Sequence, residues 1–167
     1  MDNPLKGLKA PWISQDGEIL IEKLPIDPYL EKALHPDYEV FRQGCMTLKM
    51  MHHRGKVGAA IYLLGLFHYY RDNLQRLTHV VDCLDTYQTR ECAEALLSEL
   101  RRVKSSNTTR NYHNKILRAL SSFPLDMVEN GLTELANDRL YTQKMRGKFK
   151  KVIANMRRDD SLFDDDY

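Results

Sequence analysis

Pairs of apolar residues return along this chain at an almost fixed interval, and that recurrence limits what it can fold into more than any other feature. Leu63 and Leu66, Leu97 and Leu100, and Leu132 and Leu135 form three Leu-x-x-Leu pairs whose starts are separated by 34 and 35 residues. A second series lies between them: Val80-Val81-x-x-Leu84, Ile116-Leu117-x-x-Leu120 and Val152-Ile153-x-x-Met156 recur at steps of 36 and 36. Recurrence on this scale marks a supersecondary unit that hides its apolar face against the next copy. Two interleaved series with nearly one period predict a two-helix unit repeated about three times.

The local pattern agrees with helices. Phe41, Cys45 and Leu48 fall at i, i+4 and i+7, one stripe of a 3.6-residue helix, which predicts a helix over about 38–52. The next, about 56–70, is apolar almost all round and is expected to be buried on several sides, with Gly58 and Gly65 admitting a close neighbour. Asp72 or Asn73, then Thr89, can cap the two helices that follow. Ser106, Asn107 or Thr108 opens another, which Pro124 terminates; a helix carrying Leu125, Val128, Leu132 and Leu135 comes next, and Thr142 can start the last. About seven helices result. Residues 1–36 hold five of the six prolines and read as an extended arm, with one strand-like stretch, Glu18 to Glu22. The arm's apolar residues, Trp12, Ile13, Ile19, Ile21 and Leu24, are expected to lie along the helical body. The organisation read from the sequence is thus an arm (1–36), a helical-repeat domain (37–158) and an acidic, disordered tail (159–167).

Over about 57–156 this spacing resembles HEAT-like repeats. The resemblance implies an all-α fold, a right-handed stack of antiparallel helix pairs. The chain departs from a standard HEAT unit: it lacks the usual proline in the first helix and the regularly placed aspartate and arginine. An irregular helical bundle is the alternative architecture. Some HEAT-like proteins are alkylpurine DNA glycosylases, but no motif of that family is present to carry over.

Charge is distributed unevenly. Five of the 23 acidic residues lie in the last nine positions, so residues 1–158 carry 25 basic against 18 acidic residues, about +7, followed by a tail of about −5. Lys144, Lys148 and Lys151 at i, i+4 and i+7, with Arg146, make a basic ridge on the last helix. Arg101, Arg102, Lys104, Arg110, Lys115 and Arg118 surround the turn near Ser105 to Thr109. Such a surface suits an acidic protein partner or, alternatively, nucleic-acid phosphates, although aromatic side chains for stacking bases are sparse. In the tail, Leu162 and Phe163 sit among aspartates and are candidates for docking on a partner; alternatively, the tail folds back on the basic ridge, or it only adds solubility.

Other chemistry finds little footing. Neither a Gly-x-Ser-x-Gly turn nor a Gly-x-x-x-x-Gly-Lys loop is present, and Glu91, Glu94 and Glu99 have a spacing that predicts exposure. His79 and Cys83 share a helix face and Cys92 follows, yet no spacing supplies a fourth zinc ligand. Neither catalytic residues nor a cofactor or metal is expected. The start of the chain lacks a basic segment leading into an apolar run, and the run from Val57 to Phe67 is shorter than a membrane span. With three unpaired cysteines, a cytoplasmic location is expected. The sequence therefore points to a non-enzymatic interaction or scaffold module that binds an acidic partner through a curved or basic helical surface.

Overall fold

A computed structural model describes the backbone of residues 3–164 and the side chains of residues 3–159. Among these residues the fold is all-α, with eight helices: α1 Asp27–Ala33, α2 Tyr38–His53, α3 Val57–Tyr69, α4 Leu74–Leu84, α5 Arg90–Arg102, α6 Arg110–Leu120, α7 Leu125–Asn137 and α8 Gln143–Asp164. The chain divides into two compact units, Met1–Thr86 with α1 to α4 and Tyr87–Tyr167 with α5 to α8. No described helix is long and apolar enough to cross a membrane.

In the first unit α2 packs on α1, α3 and α4, and α3 packs on α4; in the second α5 packs on α6 and α7, and α7 on α8. Contact of a helix with both the next and the next but one is consistent with a helical-repeat stack. The recurring residues supply the cores. All six leucines of the Leu-x-x-Leu pairs are buried, as are Val80, Val81, Leu84, Ile116, Leu117, Leu120, Ile153 and Met156. Val152 is half-buried.

Three of the four helix starts expected to carry a capping side chain obey capping chemistry. Asn73 accepts from the Arg76 amide at 3.1 Å, Thr89 from the Cys92 amide at 3.2 Å and Thr142 from the Met145 amide at 3.3 Å, as their sequence positions predict. The exception is α6. It starts two to four residues later than expected, behind a turn held by hydroxyls: Thr109 donates to the Lys104 carbonyl at 2.7 Å and accepts from the Ser106 amide at 2.8 Å. Thr109 is therefore occupied, and no side chain caps α6.

Several expectations are corrected. The arm contains α1, which packs on α2; Pro28 lies in the first turn, where its missing N–H breaks no helical bond. The strand-like stretch forms only an isolated bridge, Ile13 to Ile19, followed by a short 3-10 turn over Ile21–Lys23. Ile13, Ile21 and Leu24 are half-buried, whereas Trp12 and Ile19 are exposed. The helix apolar all round is buried on one side only. α3 buries Ala59, Ala60, Leu63, Leu66 and Phe67 against its neighbours, while Val57, Ile61 and Tyr69 are each about 60–70% exposed. A four-helix unit offers no second layer to cover that face. Finally, α8 continues through Asp164, past the expected boundary at 158, because no glycine or proline interrupts residues 148–164. Lys144 and Asp164 are 20 residues apart on this one helix, about 30 Å at 1.5 Å per residue. A backbone that is helical to Asp164 cannot fold residues 159–164 back on the ridge of the same helix. The side chains of Leu162 and Phe163, and all of 165–167, lie outside the described residues.

The glycines that admit close neighbours are also different ones. A Cβ on Gly65 would meet nothing, and one on Gly58 only Ile26 at an ordinary 3.6 Å. At Gly44 of α2 it would lie 2.4 Å from the backbone nitrogen of Ala33, so α1 and α2 touch backbone to side-chain-free backbone. Gly131 of α7 similarly makes room for Leu97 of α5, with 2.5 Å to its Cδ1. Gly44→Ala is expected to lower stability by about 1–3 kcal/mol through overpacking, whereas Gly65→Ala raises it by up to about 1 kcal/mol through helix propensity. Urea unfolding of the two variants, monitored by helical dichroism, measures both signs.

Candidate functional site

The basic residues divide into those already neutralised and those that are not. On α5, Arg101 pairs with Glu134 at 3.0 Å and Arg90 lies 3.6 Å from Asp126. Arg102 makes a two-pronged pair with Glu99, and two nitrogens of Arg157 on α8 donate to one oxygen of Glu129. Glu99 is not the exposed carboxylate its spacing predicts: it is 6% exposed and also accepts from the Tyr112 hydroxyl at 2.7 Å. Burial, reinforced by that carboxylate, drives the Tyr112 phenol well above its ordinary pKa. A buried carboxylate requires such partners, so Arg102 serves the interior of the unit rather than a ligand. Arg102 therefore leaves the set of available cations, whereas Arg101 is matched by an exposed glutamate.

Arg110, Lys144 and Lys148 behave differently. They line one cleft of about 370 Å³ in the second unit. The polar walls are Ser105, Ser106, Asn107 and Thr142, and Met145 forms an apolar patch. Arg110 donates to the amide oxygen of Asn107 at 2.6 Å, and Lys148 to that of Asn114 at 2.9 Å. Both partners are neutral. Among the described residues no carboxylate pairs with Arg110, Lys144 or Lys148, so about three positive charges face one small volume. The uncapped start of α6 lies at the same place and adds partial positive charge from its first-turn amides.

Two elements hold this geometry. Met145 and Phe149 are buried on the inner face of α8, which leaves Lys144 and Lys148 on the cleft side one turn apart. The hydroxyl-bonded turn from Lys104 to Thr109 fixes the opposite wall. A neighbouring, more apolar pocket of about 580 Å³ shares Ser105 and Thr142 with the cleft; Leu100, Val103, Leu140 and Tyr141 give it an apolar wall, and Arg101, Lys104 and Asp138 also line it. Tyr141 spans from the α7–α8 connection to the Leu100 carbonyl, donating at 3.2 Å, and its ring meets Phe149 edge-on. Leu140 is 92% exposed beside it.

The remaining candidates lie elsewhere. Lys104 borders the apolar pocket; Arg118 and Lys151 are exposed but do not line the cleft. Lys115 and Arg146 are half-buried, and the Arg146 Nε is buried without a hydrogen-bond partner. His79 lies 3.9 Å from Cys83, whose thiol burial pushes up to about 12; burial does the same for Cys92, also to about 12. Both are packed, protonated thiols at neutral pH. Sequence reasoning missed Ser105, which it used only to place the turn, and it assigned Ser106, Asn107 and Thr142 to capping alone. It also missed Arg76 of the first unit, which is 8% exposed, donates to the His35 carbonyl and the Tyr70 hydroxyl at 2.8 and 2.9 Å, and stacks over Phe41. Comparisons with protein-family models, curated proteins and solved structures find no match to this chain.

One titrating group lies close to the cleft. His113 of α6 is 2% exposed, its Nε2 is 2.8 Å from the Val103 carbonyl, and its Nδ1 is buried without a partner. Burial lowers its pKa below 6.5, with Lys148 adding to the shift, while the Val103 carbonyl and Glu99 oppose it. The unfolded chain consequently takes up this proton first. Stability is whole at neutral pH and falls as the pH drops through the ordinary imidazole value toward the lowered folded one. His113→Gln is expected to flatten that part of the stability profile, and urea midpoints of both proteins across the range measure the difference.

Proposed function

We infer that this chain is a non-enzymatic interaction module, a HEAT-like right-handed helical stack acting in the cytoplasm, which binds an acidic protein partner through the basic face of α6 and α8. The observation that carries the reading is the meeting of Arg110, Lys144 and Lys148 at one cleft with no carboxylate among the described residues to neutralise them. Arg90, Arg101, Arg102 and Arg157 of the same unit are paired with carboxylates, whereas the cations of the cleft are not. The two interleaved apolar series, buried at nearly every position, support the repeat architecture.

Nucleic acid is the second reading, because the same charges suit phosphates. Against it stands the small extent of the cleft: single-strand binders track roughly 4–16 nucleotides per domain with aromatic platforms, and Tyr141 is the one aromatic residue bordering either pocket. Binding to an acidic polypeptide, a single strand and a duplex should be measured by fluorescence anisotropy across a salt series. The acidic polypeptide is expected to bind at low salt, and the Arg110→Glu, Lys144→Glu, Lys148→Glu triple variant to lose at least about tenfold in affinity. Equal loss from reversing Arg118 and Lys151 instead would remove the cleft from the account, and preferential binding of either nucleic acid would establish the second reading.

A further inference from the structure

A carboxylate carries one charge, and it neutralises one of the three cations at the cleft. A phosphate monoester carries about −1.5 to −2 at neutral pH and presents three acceptor oxygens. The cleft offers donors for all three. Arg110 offers a planar fork, Lys144 and Lys148 offer ammonium groups one helical turn apart, and the Thr142 hydroxyl keeps its proton to donate, since its oxygen accepts from the Met145 amide. The partners that Arg110 and Lys148 now hold are neutral amide oxygens, which an incoming dianion outcompetes as an acceptor.

The apolar pocket gives the second half of the ligand. It shares Ser105 and Thr142 with the cleft, so the two adjoin and one bound segment can reach both. Leu100, Val103, Leu140 and Tyr141 supply an apolar lining there, and Leu140 stands almost wholly exposed at its edge. Resting on the acidic-partner reading, we propose that the partner is a phosphorylated protein segment: its phosphoserine or phosphothreonine sits in the cleft of Arg110, Lys144 and Lys148, and an adjacent apolar side chain fills the pocket beside Leu140 and Tyr141. A nucleic-acid strand has the phosphate but no aliphatic side chain to fill the pocket.

The test uses the full chain and fluorescence anisotropy with four labelled probes: a short acidic peptide bearing one phosphoserine next to leucine, the same peptide with serine, the phosphopeptide with leucine replaced by serine, and a single-stranded RNA. The phosphopeptide is expected to bind at least about tenfold more tightly than its serine twin, and to lose that advantage in Lys144→Gln and Lys148→Gln. Leu140→Ser is expected to weaken the leucine-bearing phosphopeptide several-fold and to leave the serine-substituted one unchanged. These are surface positions, and unchanged helical dichroism verifies that the variants are folded. Equal affinity for phosphopeptide and serine twin would overturn the phosphate assignment while leaving the acidic-partner reading intact. Absence of binding by every acidic peptide at low salt would remove both. RNA binding tighter than the phosphopeptide, or displacement of the phosphopeptide by an equal concentration of inorganic phosphate, would also overturn the proposal.

Discussion

Most of the described helices carry an apolar stripe, and their stability comes from packing that stripe rather than from helix propensity. The stripes must be covered by other helices, and covering them decides which residues face solvent and which face each other. In the second unit the burial of Met145 and Phe149 orients α8, and the burial of Tyr112 and Ile116 orients α6. Lys144, Lys148 and Arg110 are carried to a common cleft as a consequence of that packing. Close approach refines the arrangement where glycine permits it, at Gly44 between α1 and α2 and at Gly131 between α5 and α7.

Once the helices are in place, electrostatics sorts the cations. Arg102 is drawn to Glu99 because a carboxylate taken out of water needs strong donors, and Tyr112 completes its shell. Arg101 and Arg157 reach glutamates on α7 that are within range on the same unit. The turn before α6 is built from serine, asparagine and threonine, so the cations beside it meet hydroxyls and amides in place of carboxylates. Uncompensated charge at that cleft follows from the local sequence Ser105-Ser106-Asn107-Thr108-Thr109, which contains no acidic residue. Burial lowers the pKa of His113, whose Nδ1 has no partner, and Lys148 at the cleft adds to the shift.

Periodicity made much of the helical architecture legible. Helices α2 to α5 and α7 begin within one residue of their expected places, because apolar spacing and N-cap chemistry are local and short-ranged. What periodicity cannot give is which neighbour covers a stripe. The apolar run of α3 reads as buried all round, yet coverage depends on how many helices surround it, and Val57, Ile61 and Tyr69 are left exposed. α1 was hidden by its prolines, since Pro28 is harmless in a first turn and the sequence does not reveal where that turn falls. Glu99 reads as exposed by spacing alone; its burial comes from Tyr112 and Arg102 meeting it across two helices. For the cleft, the lysines were visible at i and i+4, but their union with Arg110, and the burial of Glu99 that holds Arg102, are tertiary facts.

The central claim is that charge left unpaired by the packing of α6 and α8 forms one localised anion-binding site. A nuclear magnetic resonance titration of the folded chain with an acidic polypeptide at low ionic strength tests it most directly. Backbone amide shifts concentrated at Ser105 to Arg110 and Thr142 to Lys148, saturating together, are the predicted result. Shifts spread evenly over every lysine-bearing and arginine-bearing surface, or confined to the exposed face of α3, would contradict it.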